Sequence, residues 1–270
     1  MKVACIQPEV FTSRKECYSQ VDSLLGALMN KHEKCDLACL PERWTPYSQQ
    51  ISENFQKERG NDYSFVKELA KKYQVNLLSG GIWETRESSK KPYVTCYFFD
   101  DNGEEIGRQD KIHLYSHEQG IFEPSTELKL FKFKKTYFAI LICFDVAFYE
   151  TPRLAAENGA DLIFSPTQIR EDGIYNWNIY LQARALENRI PIIACNTYGK
   201  INDRNFTGKS KIISFLKGPY TPSKLRVIEA PENESSFIFD NIDLEFPKEL
   251  RKIRINEKVE KANINIIKTR

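Results

Sequence analysis

Apolar runs rich in Val, Ile, Phe and Tyr alternate with amphipathic stretches along the whole chain. The short continuous runs predict strands at 2–7, 36–41, 76–84, 93–100, 128–133, 137–144, 161–166, 191–196, 209–215 and 236–241. Positions repeating at helical spacing predict helices over about 13–31, 63–73, 150–158 and 176–188, with Asn158-Gly159 as a stop signal for the third. Several strands follow one another directly, without a helix between them. That pattern predicts an α/β chain built as a four-layer α-β-β-α sandwich, two mixed sheets packed face to face with helices outside. No Pro/Gly/Ser-rich linker or internal repeat divides it. Residues 1–245 are read as one domain, and the charged stretch 246–270, more apolar at 264–267, as a C-terminal arm that packs on a partner subunit or lies on the surface.

The pattern also places chemistry. Cys143 ends the apolar run Phe138-Ala139-Ile140-Leu141-Ile142 and precedes Phe144-Asp145 and a helix. A thiol on a tight turn at the carboxyl end of a central strand is exposed at the mouth of a sheet, beside backbone N–H groups able to hold an oxyanion. Glu42 leaves another strand after Leu37-Ala38-Cys39-Leu40-Pro41. Lys111 lies in Gln109-Asp110-Lys111-Ile112-His113-Leu114, and Glu118 opens Glu118-Gln119-Gly120-Ile121-Phe122-Glu123-Pro124. Singly, a buried cysteine is usually core and a Glu or Lys usually solvated surface. Their value lies in acting together.

Composition narrows the reading. At 270 residues with 41% hydrophobic, the chain can bury a large core; 39 Lys+Arg against 37 Asp+Glu leaves no field that steers it to nucleic acid or membrane. The opening Met1-Lys2-Val3-Ala4-Cys5-Ile6 is too short for a leader's apolar segment, and no stretch reads as a membrane span. Seven cysteines, an odd number, without a secretory signal predict reduced thiols and a cytoplasmic location. Cys35 and Cys39 lack a second ligand pair, His113 and His117 lack the glutamate of a zinc-protease helix, and no phosphate-binding glycine loop occurs. Neither a metal nor another cofactor is expected.

In this order the blocks resemble the nitrilase superfamily, the carbon–nitrogen hydrolases with a Glu-Lys-Cys triad. Lys2–Gln7 resembles the opening strand that ends in Gln; Leu40-Pro41-Glu42 is similar to the block of the general base; Lys111-Ile112-His113-Leu114 to that of the lysine; Glu118 to Pro124 to that of a second glutamate; and Leu141-Ile142-Cys143-Phe144-Asp145 to that of the nucleophile. Ala183-Arg184-Ala185-Leu186-Glu187-Asn188, Ala194-Cys195-Asn196 and Gly208-Lys209-Ser210 continue the resemblance along most of the chain. The chain departs from the pattern at Phe138-Ala139, where glycine is usual, and at Pro124-Ser125, where Pro-Gly is usual. Both departures bear on pocket shape, not on the reacting groups.

The resemblance implies that Glu42, Lys111, Cys143 and Glu118 form the catalytic set of a thiol hydrolase. Such an enzyme cleaves a non-peptide C–N bond of a small linear amide or N-carbamoyl amine through a cysteine thioester. It also implies a homodimer or higher homo-oligomer. Among residues beside the blocks, Tyr47, Phe122, Phe144 and Gln168 are the expected substrate contacts, followed by Trp44, Tyr175 and Trp177, with Arg170, Glu171 and Asp172 placed to read a charged substrate end. Phe144-Asp145 is amidase-like, whereas true nitrilases more often carry Trp-Glu there, so nitrile hydrolysis is the alternative. A Cys143–His113 or Cys143–His117 hydrolase and an inactive scaffold of the same fold are the other competitors.

Overall fold

A computed structural model describes residues 1–31, 34–220, 223–259 and 263–268. Residues 260–262 and 269–270 of the C-terminal arm lie outside the described residues. The elements run β1 (Lys2–Gln7), α1 (Arg14–Lys31), β2 (Leu37–Cys39), β3 (Gln56–Lys57), α2 (Asn61–Tyr73), β4 (Asn76–Leu78), β5 (Ile82–Thr85), β6 (Tyr93–Phe99), β7 (Glu105–Asp110), β8 (Leu130–Phe133) and β9 (Thr136–Ile140). They continue with α3 (Glu150–Glu157), β10 (Leu162–Pro166), α4 (Ile174–Asn188), β11 (Ile192–Cys195), β12 (Tyr198–Ile201), β13 (Arg204–Thr207), β14 (Lys211–Leu216), β15 (Lys224–Glu229), β16 (Ser236–Asn241) and α5 (Glu245–Asn256).

Two mixed sheets result. One has the order β16-β1-β2-β4-β6-β5-β3, with β7 also on β6; the other has the order β15-β14-β11-β10-β9-β8. Alternation along the strands decides the layering, because successive side chains leave a strand on opposite faces. Val3 and Cys5 of β1 join Phe138, Ile140, Phe164 and Ile193 of the other sheet in the core between the sheets. Ala4 and Ile6 turn the other way and pack under α1 and α2 with Val21, Leu25 and Val66. On the far side, Ala139, Ile163 and Ala194 face α3 and α4 through Ala155, Trp177 and Leu181. Strands buried on both faces carry unbroken apolar runs, which is why β1, β9, β10 and β11 are legible in the sequence.

Helix α5 docks on this chain's own body. Phe246 and Leu250 pack with Phe215, and Arg251 donates to the Ala156 and Ala160 carbonyls at the end of α3. Beyond it, Ile264, Ile266 and Ile267 are exposed. Among the described residues no helix is long and apolar enough to cross a membrane.

Candidate active site

Glu42, Lys111 and Cys143 each follow the end of a strand, and Glu118 sits on a short 3-10 helix. Cys143 follows β9 and begins a short 3-10 helix, Cys143–Ala147, with φ +49. A left-handed backbone costs a non-glycine residue roughly 1–2 kcal/mol, so surrounding bonds must hold it. Asp145, fully buried, does much of this. Its Oδ2 accepts the Ile142 N–H at 2.8 Å, and its Oδ1 accepts the His113 and Ile112 N–H groups at 2.6 and 3.2 Å. One carboxylate thereby clamps the cysteine turn to the segment that carries Lys111. At the far end of the turn, Arg184 of α4 donates to the Val146 and Ala147 carbonyls at 3.2 and 2.9 Å.

Glu42 follows β2, its N–H donating to Thr167 O at 3.1 Å. The Gly80-Gly81 step between β4 and β5 runs against it. A Cβ at Gly80, whose φ is +68, would meet Pro41 O at 2.0 Å, and one at Gly81 would meet the Glu42 side chain at 2.7 Å. Lys111 follows β7, fully buried, and its Nζ donates to Glu42 Oε1 at 3.0 Å and to Glu118 at 2.9 Å. Glu118 sits in the 3-10 helix Ser116–Gly120, where its other oxygen accepts the Tyr115 N–H at 2.7 Å. The Cys143 thiol lies within electrostatic reach of Glu42, Lys111 and Glu118, beside the Gln168 backbone.

The outer blocks act as scaffold. Gln7 at the end of β1 accepts the Ser210 N–H at 2.9 Å, and a Cβ at Gly208 would meet its amide at 2.4 Å. Ser210 Oγ accepts the Asn196 N–H at 2.9 Å, and Asn196 Oδ1 accepts the Ile169 N–H at 2.8 Å. This chain of contacts sets the Gln168-Ile169 loop beside the sulfur.

Electrostatics follow from two carboxylates and one ammonium enclosed together. Burial lifts Glu42 above the ordinary carboxylate range; Lys111 opposes this and Glu118 adds to it. Burial works against the Lys111 ammonium, but Glu42, Cys143 and Glu118 outweigh it, so the lysine stays charged. Burial also pushes the Cys143 thiol well up, with Glu42 adding to the effect. The resting sulfur is therefore a neutral thiol. A thiolate would be a third negative charge beside one positive.

All four groups line a cavity of about 470 Å³. Tyr47, Phe144, Gln168 and Trp177 line it too, as do Arg170 and Asp172, which pair with each other at 3.0 Å. Phe122 does not. It is fully buried in the core between the sheets, edge-on behind Trp83 at 4.7 Å, because position 122 turns inward after the loop. Trp44 is likewise buried, under α1 and α2 with its Nε1 on Ser79 O at 2.7 Å, and Tyr175 is exposed elsewhere. His113 is held by Asp145 and stacked on Phe148, away from the cavity, whereas His117 lines it. Arg43, Trp83 and Arg204 also line the cavity and were not anticipated.

The chain belongs to the carbon–nitrogen hydrolase family, whose model matches residues 2–246. It is 30% identical to a probable nitrilase of Schizosaccharomyces pombe, covering 93% of this chain and 91% of that one. It is also 30% identical to a 2-oxoglutaramate amidase of Bacillus subtilis, covering 82% and 83%. In fold it is similar to Saccharomyces cerevisiae Nit3, described as a member of branch 10 of the nitrilase superfamily, with TM-score 0.83, 24% identity and 98% and 97% coverage.

Proposed function

We propose that this chain is an amidase-type hydrolase that cleaves a small linear amide or N-carbamoyl amine through a thioester on Cys143. The observation that carries the reading is the Lys111 ammonium, held 3.0 Å from Glu42 and 2.9 Å from Glu118 on the cavity that also receives Cys143. Glu42 takes the thiol proton as sulfur attacks the carbonyl carbon, so little free thiolate is needed beforehand. The developing oxyanion is met by Lys111 and the Phe144 N–H, each such donor being worth about 3–4 kcal/mol of barrier. Glu42 then protonates the leaving nitrogen, the C–N bond breaks and ammonia or amine departs. Water, giving a proton to the same carboxylate, adds to the thioester. The C–S bond breaks, the thiol regains its proton, and an acid is released. Glu118 fixes Lys111 and the substrate nitrogen.

Amidase-named relatives favour this over nitrile hydrolysis, as does Phe144-Asp145. The Cys143–His113 alternative is weakened, because Asp145 holds His113 outside the cavity. Incubation with a panel of amides, ω-amides, carbamoyl amines and nitriles, followed by intact-mass measurement, tests the reading. An acyl adduct confined to Cys143 with release of ammonia is expected; an unmodified protein and no ammonia with every compound would leave the inactive-scaffold reading. We further propose a cytoplasmic homodimer, supported by seven free cysteines and by the exposed Tyr149, Leu154, Ile179 and Leu186 on and beside α3 and α4, with Ile264–Ile267 as an added contact.

A further inference from the structure

Among the described residues, Arg43 is the one cavity-lining cation that the fold buries without an ionic partner. It is 5% exposed, and among the described residues no carboxylate lies within ion-pair distance of it. Its guanidinium stacks on Trp83 at 3.7 Å and donates once, from Nη2 to Asn54 Oδ1 at 3.0 Å, while the buried Nε has no partner. Burial draws the group down to about 10, more than Glu42, Glu118 and Asp62 restore from a distance. Lys111, the other buried cation of the cavity, is matched by two glutamates, and Arg170 pairs with Asp172.

The backbone makes the same point. Arg43 stands at φ +57, a conformation that glycine or asparagine holds at less cost. The Arg43 N–H on Gly81 O at 3.1 Å keeps it there, adjoining Glu42. A long cationic side chain in a strained position, its plane fixed by an aromatic ring and most of its donors unused, is prearranged for a planar anion. Carboxylate fits that fork in two parallel hydrogen bonds. Arg204, exposed at the cavity rim and without an ion pair among the described residues, extends the positive field outward.

We propose that Arg43 is the specificity residue of this site and binds a carboxylate at the end of the substrate remote from the scissile bond, selecting short amides that carry one negative charge. This rests on the hydrolase reading for its consequence in turnover, but not for the binding itself.

The experiment compares succinamate and glutaramate with 4-oxopentanamide, a neutral compound of succinamate's shape. For the wild-type protein, kcat/KM for the better anion should exceed that for the neutral amide by about 100-fold, the scale expected of a buried charge pair. Arg43→Gln should collapse that ratio, and Arg43→Lys should keep about a tenth of it. In parallel, Cys143→Ala protein, unable to turn over, is titrated calorimetrically with succinamate, and adding Arg43→Gln should raise Kd about 100-fold. A wild-type ratio near one, an equal loss on both amides in Arg43→Gln, or an unchanged Kd would each overturn the proposal. Arg43-dependent binding with no amide cleaved by the wild type would instead remove the hydrolase reading and leave the anion site standing. Should Arg43→Gln fail to fold, the wild-type ratio and the lysine variant decide.

Discussion

Two buried charge clusters share the first sheet, and they are built to opposite ends. Around Arg86, charge is closed on itself. The guanidinium donates to Glu84 at 2.8 Å, to Asp110 at 2.8 and 2.5 Å and to Thr95 at 2.7 Å, while Tyr97 donates to Glu84 at 2.7 Å. Arg108 spans Glu58 and Tyr97 beside it. Around Lys111, carboxylates and a cation again meet but face a cavity, with a thiol on the same cavity and an unpaired guanidinium next door. Asp110 and Glu42 shift in opposite directions, although burial raises Glu84, which also pairs with Arg86, as it raises Glu42. Burial pushes Asp110 up, yet Arg86 holds it below the ordinary range; burial lifts Glu42 and Lys111 does not offset it. A cluster that satisfies its charges gives stability, and one that leaves them wanting gives reactivity.

That contrast breaks most sharply at the sulfur. Cys143→Ala is expected to lower amide turnover by on the order of 10⁴–10⁶ while moving the melting temperature by no more than about 2 °C. Lys111→Ala should cost about 10³ in kcat/KM, because the oxyanion loses a donor and two glutamates lose the charge between them. Steady-state kinetics beside thermal denaturation reads both. The opposite result is expected of Arg86→Ala. Stranding Glu84 and Asp110 costs about 3–5 kcal/mol, roughly a 10 °C fall in melting temperature, with kcat per folded molecule kept within about twofold. Were Arg86→Ala to remove activity at unchanged stability, the division between the clusters would not hold.

The sequence made the stable parts of this comparison legible and hid the rest for physical reasons. Strands β1 and β16 have the bounds that their apolar runs predict, β10 and β11 lie within theirs, and β9 starts one residue before its run and ends at Ile140. The run 76–84 was read as one strand but splits into β4 and β5, because Gly80 turns into the left-handed region to let Pro41 and Glu42 pass. Strand β7 was missed because it is polar, its Glu105 and Asp110 spending themselves on Arg59 and Arg86, so no apolar alternation marks it. The separate two-stranded pair β12–β13 and the edge strand β15 show as little, and α5 falls in the stretch that charge marks as an arm, although Phe246 and Leu250 at helical spacing are a usable signal. In the site, Glu42, Lys111 and Cys143 stand out by block. Arg43 and Trp83 are forty residues apart and meet only through the fold; the Gly80-Gly81 doublet was the one local hint. Phe122 looked like a contact because it adjoins a block, but position along the chain says nothing about which way a side chain turns.

The finest test of the contrast is pH, where Glu42 and Asp110 pull with opposite sign. Glu42 acts as a base only when ionised, so its upward shift should move the acid limb of kcat/KM above the value of about 4.3 of an ordinary glutamate. Lys111, held charged by its carboxylates, should produce no alkaline loss near neutrality. Stability carries the same signature. A carboxyl whose folded pKa lies above its unfolded one binds more protons when native, so Glu42 contributes stability below the ordinary range and loses it as pH rises through its folded value. Asp110, held below its unfolded value, contributes stability above about 3.9 and loses it as pH falls through its own. Glu42→Gln should therefore flatten stability against pH just above the ordinary glutamate range, and Asp110→Asn should flatten it only at the acid end. Denaturant midpoints measured between pH 3 and 8 distinguish them, each titration unit being worth about 1.4 kcal/mol. An acid limb at the ordinary glutamate value would mean that Lys111 neutralises Glu42 after all, and the cavity cluster would then be as self-satisfied as the one around Arg86.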